Sequence, residues 1–306
     1  MSSIVRSFHW QEDFALVRDF LAETFELNRY SNWIPSRFEN LRFGPCGSEY
    51  EDSRDNFIKI WERESPSGRA IVAVTVLEPV REAWLFDHPR HKHLGRKIID
   101  WMEERTRILG ESSDSPTLKI MTRSVDTERI TLLSHMGYHE VEEYGDLQER
   151  PVDLPAPEYV LPNGFQVRSV DLEEDFEEYR RVQASVFPHC SAMTESLVRT
   201  YASASFYNPE LDLIAEAPDG QFAAFGTVRI DPVSRIAEFE PVGTHPDFRR
   251  LGLARAVVAE GIRRLRKHDP RAVCIPGAAN TEAARGFYHS LGFNIVGAES
   301  VWVKDL

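Results

Sequence analysis

Two carboxylates and a basic glycine loop are the residues here whose types and spacing fit chemistry. Glu238 and Glu240 alternate along an apolar run at 236–242, so on a strand both point to one face. A carboxylate in a cleft can accept a proton, directly or through a water, where burial raises its pKa. Shortly after that run, Arg249-Arg250-Leu251-Gly252-Leu253-Ala254 opens a helical period in which Ala254, Val258, Ile262 and Leu265 share one face. A strand that turns through glycine into a helix leaves unpaired amides at the positive end of the helix dipole. That is an anion site. Gly252 permits close backbone approach, and Arg249 and Arg250 suit phosphate oxygens.

The elements that must position these groups follow from periodicity. In the second half, strand 165–170 is followed by helices at 172–186 and 195–201. A hairpin of 211–216 with 222–230 turns at Pro218-Asp219-Gly220. After the central strand and helix come strand 272–276, helix 281–291 and terminal strands over 293–304. In the first half, Phe14, Val17, Leu21 and Phe25 mark a helix. Strands at 56–61, 70–77 and 83–86, helix 94–109, strand 117–121 and helix 128–135 follow. A proline-rich tract spans 147–164 and reads as a linker.

The halves read as copies. His88-Pro89 matches His245-Pro246 and Leu94-Gly95 matches Leu251-Gly252, both at an offset of 157 residues. Met136-Gly137-Tyr138 matches Leu291-Gly292-Phe293 at an offset of 155. The copies differ where chemistry would sit. Arg96 and Lys97 replace Leu253 and Ala254, Val125 replaces Asn280, and Leu133 replaces Tyr288.

The loop resembles the acyl-CoA pyrophosphate loop of the GNAT superfamily of N-acetyltransferases, Arg/Gln-x-x-Gly-x-Gly/Ala. The stretch from Asn280 to Phe293 is similar to the family's other signature, Asn-x-x-Ala-x-x-x-Tyr-x-x-x-Gly-Phe. The resemblance implies an α/β (α+β) fold of two tandem GNAT domains, each a mixed, mostly antiparallel twisted sheet flanked by helices. We expect a degenerate domain at 1–148, a linker at 149–163 and a domain with intact motifs at 164–306. The same tandem arrangement occurs in mycothiol synthases and other small-molecule acetyltransferases.

By that resemblance acetyl-CoA is the acyl donor, and Val242, Gly243, Thr244, Arg249, Arg250, Leu251, Gly252, Leu253, Ala254, Asn280, Ala283 and Tyr288 bind it. The backbone near Val242 and Thr244 pairs with pantetheine and polarises the thioester. Tyr288 protonates the departing thiolate. Glu238 or Glu240 is the base for an amine, or simply binds an ammonium group. His245 in its His-Pro turn is structural, and Cys274 a buried inert thiol. A non-catalytic acyl-CoA-binding module, or transfer of another acyl group to a different acceptor, stays open.

Composition sets the bounds. The chain has 306 residues, 42% of them apolar, enough for two packed domains. A net charge of −13 argues against nucleic-acid and anionic-membrane partners. Cys46, Cys190 and Cys274 lack metal-ligand spacing, so free thiols and no metal are expected. No apolar run reaches membrane-span length, and a cytoplasmic enzyme with a small amine-bearing substrate is the expectation.

Overall fold

A computed structural model describes residues 4–44, 57–65, 68–77, 82–109, 116–278 and 281–306. The first half runs β1 (Ile4–Ser7), α1 (Trp10–Leu27), α2 (Pro35–Phe43), β2 (Ile58–Ser65), β3 (Gly68–Leu77), β4 (Glu82–Asp87), α3 (Gly95–Leu109), β5 (Thr117–Arg123), α4 (Thr127–His135) and β6 (His139–Arg150). The second half repeats that order. It runs β7 (Gln166–Ser169), α5 (Phe176–Val186), α6 (Glu195–Ala202), β8 (Asp212–Glu216), β9 (Phe222–Ile230), β10 (Ile236–Thr244), α7 (Leu253–Leu265), β11 (Ala272–Ala278), α8 (Glu282–Ser290) and β12 (Asn294–Asp305).

Local chemistry explains most of these elements. Helix α1 buries Val17, Phe20, Leu21, Thr24 and Phe25 at helical spacing and carries Glu12 and Asp13 in its first turn. Pro35 sits at the start of α2, where its missing N–H costs nothing. Thr194 and Thr281 cap α6 and α8 through their hydroxyls. Leu253, Val257, Val258, Ile262 and Leu265 form the buried face of α7.

The twelve strands described make one sheet in the order β1-β2-β3-β4-β5-β12-β6-β11-β10-β9-β8-β7. All neighbours are antiparallel except β4 with β5 and β10 with β11. Helices cover both faces. In the second half, Val258, Ile262 and Leu291 pack against Val228, Phe239 and Ile275, while Tyr179, Val182 and Val198 pack against Ile214 and Phe225.

The halves exchange their last strands. Strand β6 ends the first half yet pairs with β11 of the second, and β12 ends the second yet pairs with β5 of the first. Between them β6 and β12 pair with each other. Sequence periodicity did not reveal β6, because its residues are mostly polar and its C-terminal end lies in the expected linker tract. Two of its buried charged groups are answered by distant partners. Asp146 receives two bonds from Arg285 of α8 at 2.7 and 2.9 Å. Arg150 donates to the Leu291 carbonyl at 2.8 Å.

Cys274 is a buried free thiol, and burial, with the nearby Glu238 charge, pushes its pKa up. Cys190 is disulfide-bonded, which corrects the expectation of free thiols throughout. Cys46 lies outside the described residues.

Candidate active site

Strand β10 organises the site by parting from its neighbour. Its parallel pairing with β11 ends at Glu238 opposite Cys274, although β10 continues to Thr244 and β11 to Ala278. On the other side, pairing with β9 slips register between Phe239 and Val242. A bulge of this kind re-aims the strand. The His245 N–H bonds the Ala223 carbonyl of β9 at 2.9 Å. Backbone groups alternate sides along a strand, so Gly243 faces β9 while Val242 and Thr244 face the opening. No described residue pairs with β10 on that side beyond Glu238. Gly243 also has a packing role. A Cβ there would stand 2.4 Å from the Phe225 ring and 3.1 Å from Val186.

The loop after β10 ends at an open helix start. Gly252 caps α7 with φ 78° and no side-chain cap bond. Nothing lies within 4 Å of where its Cβ would be, so a ligand has room there. Arg250 is also left-handed, at φ 65°. The Arg249 and Arg250 side chains are exposed and have no hydrogen bond or ion pair among the described residues. Leu251 is solvent-exposed, Leu253 anchors the helix in the core, and Ala254 is half-buried. Free amides, a positive dipole end and two unclaimed guanidiniums fit a pyrophosphate.

Tyr288 of α8 is 8% exposed. Its ring packs at 4.9 Å from Phe287 and 5.7 Å from Phe293. Burial raises its pKa, and the Glu240 charge raises it further, so the phenol keeps its proton. No described residue hydrogen-bonds its hydroxyl. Ala283 is exposed in the first turn of α8. Asn280 lies outside the described residues.

The two glutamates occupy different surroundings. Glu238 is 0% exposed and fully engaged. Its Oε1 accepts from Ser36 Oγ at 2.9 Å and lies 3.5 Å from Arg229 Nη1. Its Oε2 accepts from Arg37 Nε at 3.2 Å. Glu240 is 35% exposed at its side chain, and its one ion-pair neighbour among the described residues is Arg37 Nη2, at 4.0 Å. Of the two candidate bases, the open one is Glu240. Ser36 and Arg37 carried no signal in the sequence, since α2 precedes Glu238 by about two hundred residues, whereas Arg229 stands opposite Glu238 on β9. His245 accepts from the Asp247 N–H at 3.3 Å, a turn-forming role.

The equivalent opening in the first half is filled from within. Pairing of β4 with β5 ends at Trp84 opposite Met121. The Asn32 amide then bonds both backbone groups of Asp87, and Arg129 donates to the Leu85 carbonyl at 3.1 Å and to the Asp87 carboxylate at 2.6 Å. A cavity of about 10 Å³ remains beside Trp33, Trp84, Arg123 and Arg129, room for one water at most. Gly95 is right-handed, with Leu132 2.9 Å from its Cβ position. Arg96, Lys92 and His93 line an open surface pocket of about 270 Å³ outside it. Leu133 is fully buried.

A parted parallel pair beside an uncapped, basic helix start defines the acyl-CoA N-acyltransferase class of fold. Residues 172–293 match the acetyltransferase (GNAT) family. The family match lies in the second half, and the fold of the whole chain is that of tandem GNAT proteins. Members of this family use acetyl-CoA as acyl donor. The mycothiol acetyltransferase of Paenarthrobacter aurescens is 26% identical over 169 residues, covering 53% of this chain and 52% of that protein. The mycothiol acetyltransferase of Thermomonospora curvata is 25% identical over 232 residues, covering 75% and 72%. The match thus spans about half the length of the first relative. A tandem GNAT protein from the clavulanic acid biosynthesis pathway shares the fold with TM-score 0.69 and 15% identity, over 99% of this chain and 98% of that one.

Proposed function

We propose that this chain is an N-acetyltransferase that moves an acetyl group from acetyl-CoA directly to a primary amine of a small molecule. The reaction belongs to residues 164–306, the half with the open site. Residues 1–148 form the companion domain and 149–163 the connection. The observation that carries this reading is the parting of β10 from β11. It leaves the Val242 and Thr244 backbone groups without a partner on that side among the described residues, beside Glu240, Tyr288 and the open start of α7.

Bound acetyl-CoA would supply an activated acetyl thioester. The amides from Leu251 to Ala254, with Arg249 and Arg250, hold its pyrophosphate. Val242 and Thr244 pair with the pantetheine amides as an added strand. Glu240 takes a proton from the acceptor ammonium, directly or through a water, because only the free amine attacks. As the N–C bond forms and the C–S bond breaks, Tyr288 gives its proton to the sulfur, and the proton that the nitrogen sheds on becoming an amide passes through water to restore the phenol. Glu238 takes no part in proton transfer, since it is buried and paired with Ser36, Arg37 and Arg229.

Calorimetric titration of acetyl-CoA into wild type and Gly252→Trp, followed by an amine panel, tests this. One site per chain, lost in the variant, together with turnover on an amine, is the expected result. Binding without turnover on any amine would leave an acyl-CoA-binding module. Absence of binding would overturn the reading.

A further inference from the structure

We propose that Arg37, a residue of the first half, is a positioning residue for the reaction of the second half, holding the Glu240 carboxylate toward the opening of β10. This rests on the acetyltransferase reading above. Helix α2 is clamped to the second half at two places. Ser36 and Arg37 grip Glu238 of β10 at 2.9 and 3.2 Å, and Glu39 accepts from the Ser205 N–H and hydroxyl, both at 2.6 Å. Arg37 is therefore held through Nε of its planar guanidinium by a buried carboxylate. Glu238 is pinned in turn by Arg229 at 3.5 Å.

The neighbouring nitrogen on the same edge of the guanidinium faces Glu240, with Nη2 4.0 Å from Oε2. Glu240 has no hydrogen bond or other ion pair among the described residues. The other charged or titratable groups that sense it are Arg229 of β9 and Tyr288 of α8. A half-exposed glutamate with no fixed neighbour samples many rotamers. One preset cation narrows that choice.

A seam residue would behave differently. Glu238 and Ser36 already tie α2 to β10, so the Glu240 contact adds little to holding the halves together, and a solvent-facing pair is a weak fastener. Glu39 fastens the same helix without approaching Glu240. It separates the two roles.

The test compares wild type, Arg37→Met, Arg37→Lys, Glu39→Gln and Arg37→Met/Glu238→Gln in steady-state acetylation and acetyl-CoA titration. Expected is a fall in kcat of roughly tenfold or more in Arg37→Met, with acetyl-CoA affinity unchanged, recovery in Arg37→Lys, and wild-type kcat in Glu39→Gln. The double variant removes both members of the Arg37–Glu238 pair while Arg229 keeps its bond to the Tyr201 hydroxyl, and it stays slow. Wild-type kcat in a folded Arg37→Met or in the double variant would overturn the positioning role alone. An equal loss in Glu39→Gln would also do so, by assigning the effect to the seam. A wild type that acetylates no amine overturns the acetyltransferase reading, and this inference with it.

Discussion

The Asn32 side-chain amide holds both backbone groups of Asp87, accepting from its N–H at 3.2 Å and donating to its carbonyl at 2.9 Å. Asp87 is the repeat equivalent of Thr244, whose backbone faces the open side of β10. An internal amide thus takes the place that a pantetheine amide would take. Calorimetry is expected to count one acetyl-CoA per chain. Asn32→Ala is expected to lower stability by about 2 kcal/mol, because buried backbone groups lose their partner. It adds no second site, since Arg129 still fills the opening. Two sites in wild type would contradict this.

Glu238 and Glu240 respond oppositely to removal. Glu238→Ala strands Arg37 and Arg229 in the interior, and a loss of about 3–5 kcal/mol is expected in denaturant unfolding. Glu240→Ala changes stability by less than about 1 kcal/mol but lowers kcat by roughly 10²-fold or more. The reverse pattern would exchange their roles.

Tyr288→Phe keeps the ring in its aromatic packing and removes only the proton. Acetyl-CoA affinity is expected to persist while kcat falls by about 10²-fold. Burial and the Glu240 charge raise the phenol's pKa, so the acid form survives to higher pH than for a free tyrosine. In wild type the kcat profile should show no alkaline fall from this group below about pH 10.

Asp212 gives a pH signature in stability. Burial pushes its carboxyl up to about 6, against the opposing hydrogen bonds of Thr227, Tyr207 and Tyr179. The folded state therefore binds this proton more tightly than the unfolded chain. Its contribution is fully present below about pH 4 and is lost as pH rises through about 6, a change on the order of 3 kcal/mol. Asp212→Asn should flatten that part of the stability profile, and an unchanged slope would remove Asp212 as its source.

Strand exchange makes the halves interdependent. A fragment of residues 164–306 lacks β6, leaving the β11 edge unpaired and Arg285 without Asp146. It is expected to aggregate or remain unfolded by circular dichroism. Co-expression with residues 1–163 should restore folding, whereas an independently folded fragment would show that the exchange is dispensable.

The sequence by itself determined what short-range chemistry controls. The order of elements in the second half, the Gly252 turn and the buried face of α7 follow from periodicity and residue type over a few turns. The repeat offset also marked which copy had lost its tyrosine and its slim loop. The tertiary structure decided whatever depends on partners far along the chain. Strand β6 is polar enough to pass for linker until Arg285 and the Leu291 carbonyl answer its charges. Glu238 and Glu240 are equivalent by alternation, and only the arrival of α2 buries one and leaves the other open. Asn32 and Arg129 seal the first opening from other elements. Backbone periodicity is written locally, but the environment that sets a side chain's role is assembled from residues the sequence keeps far apart.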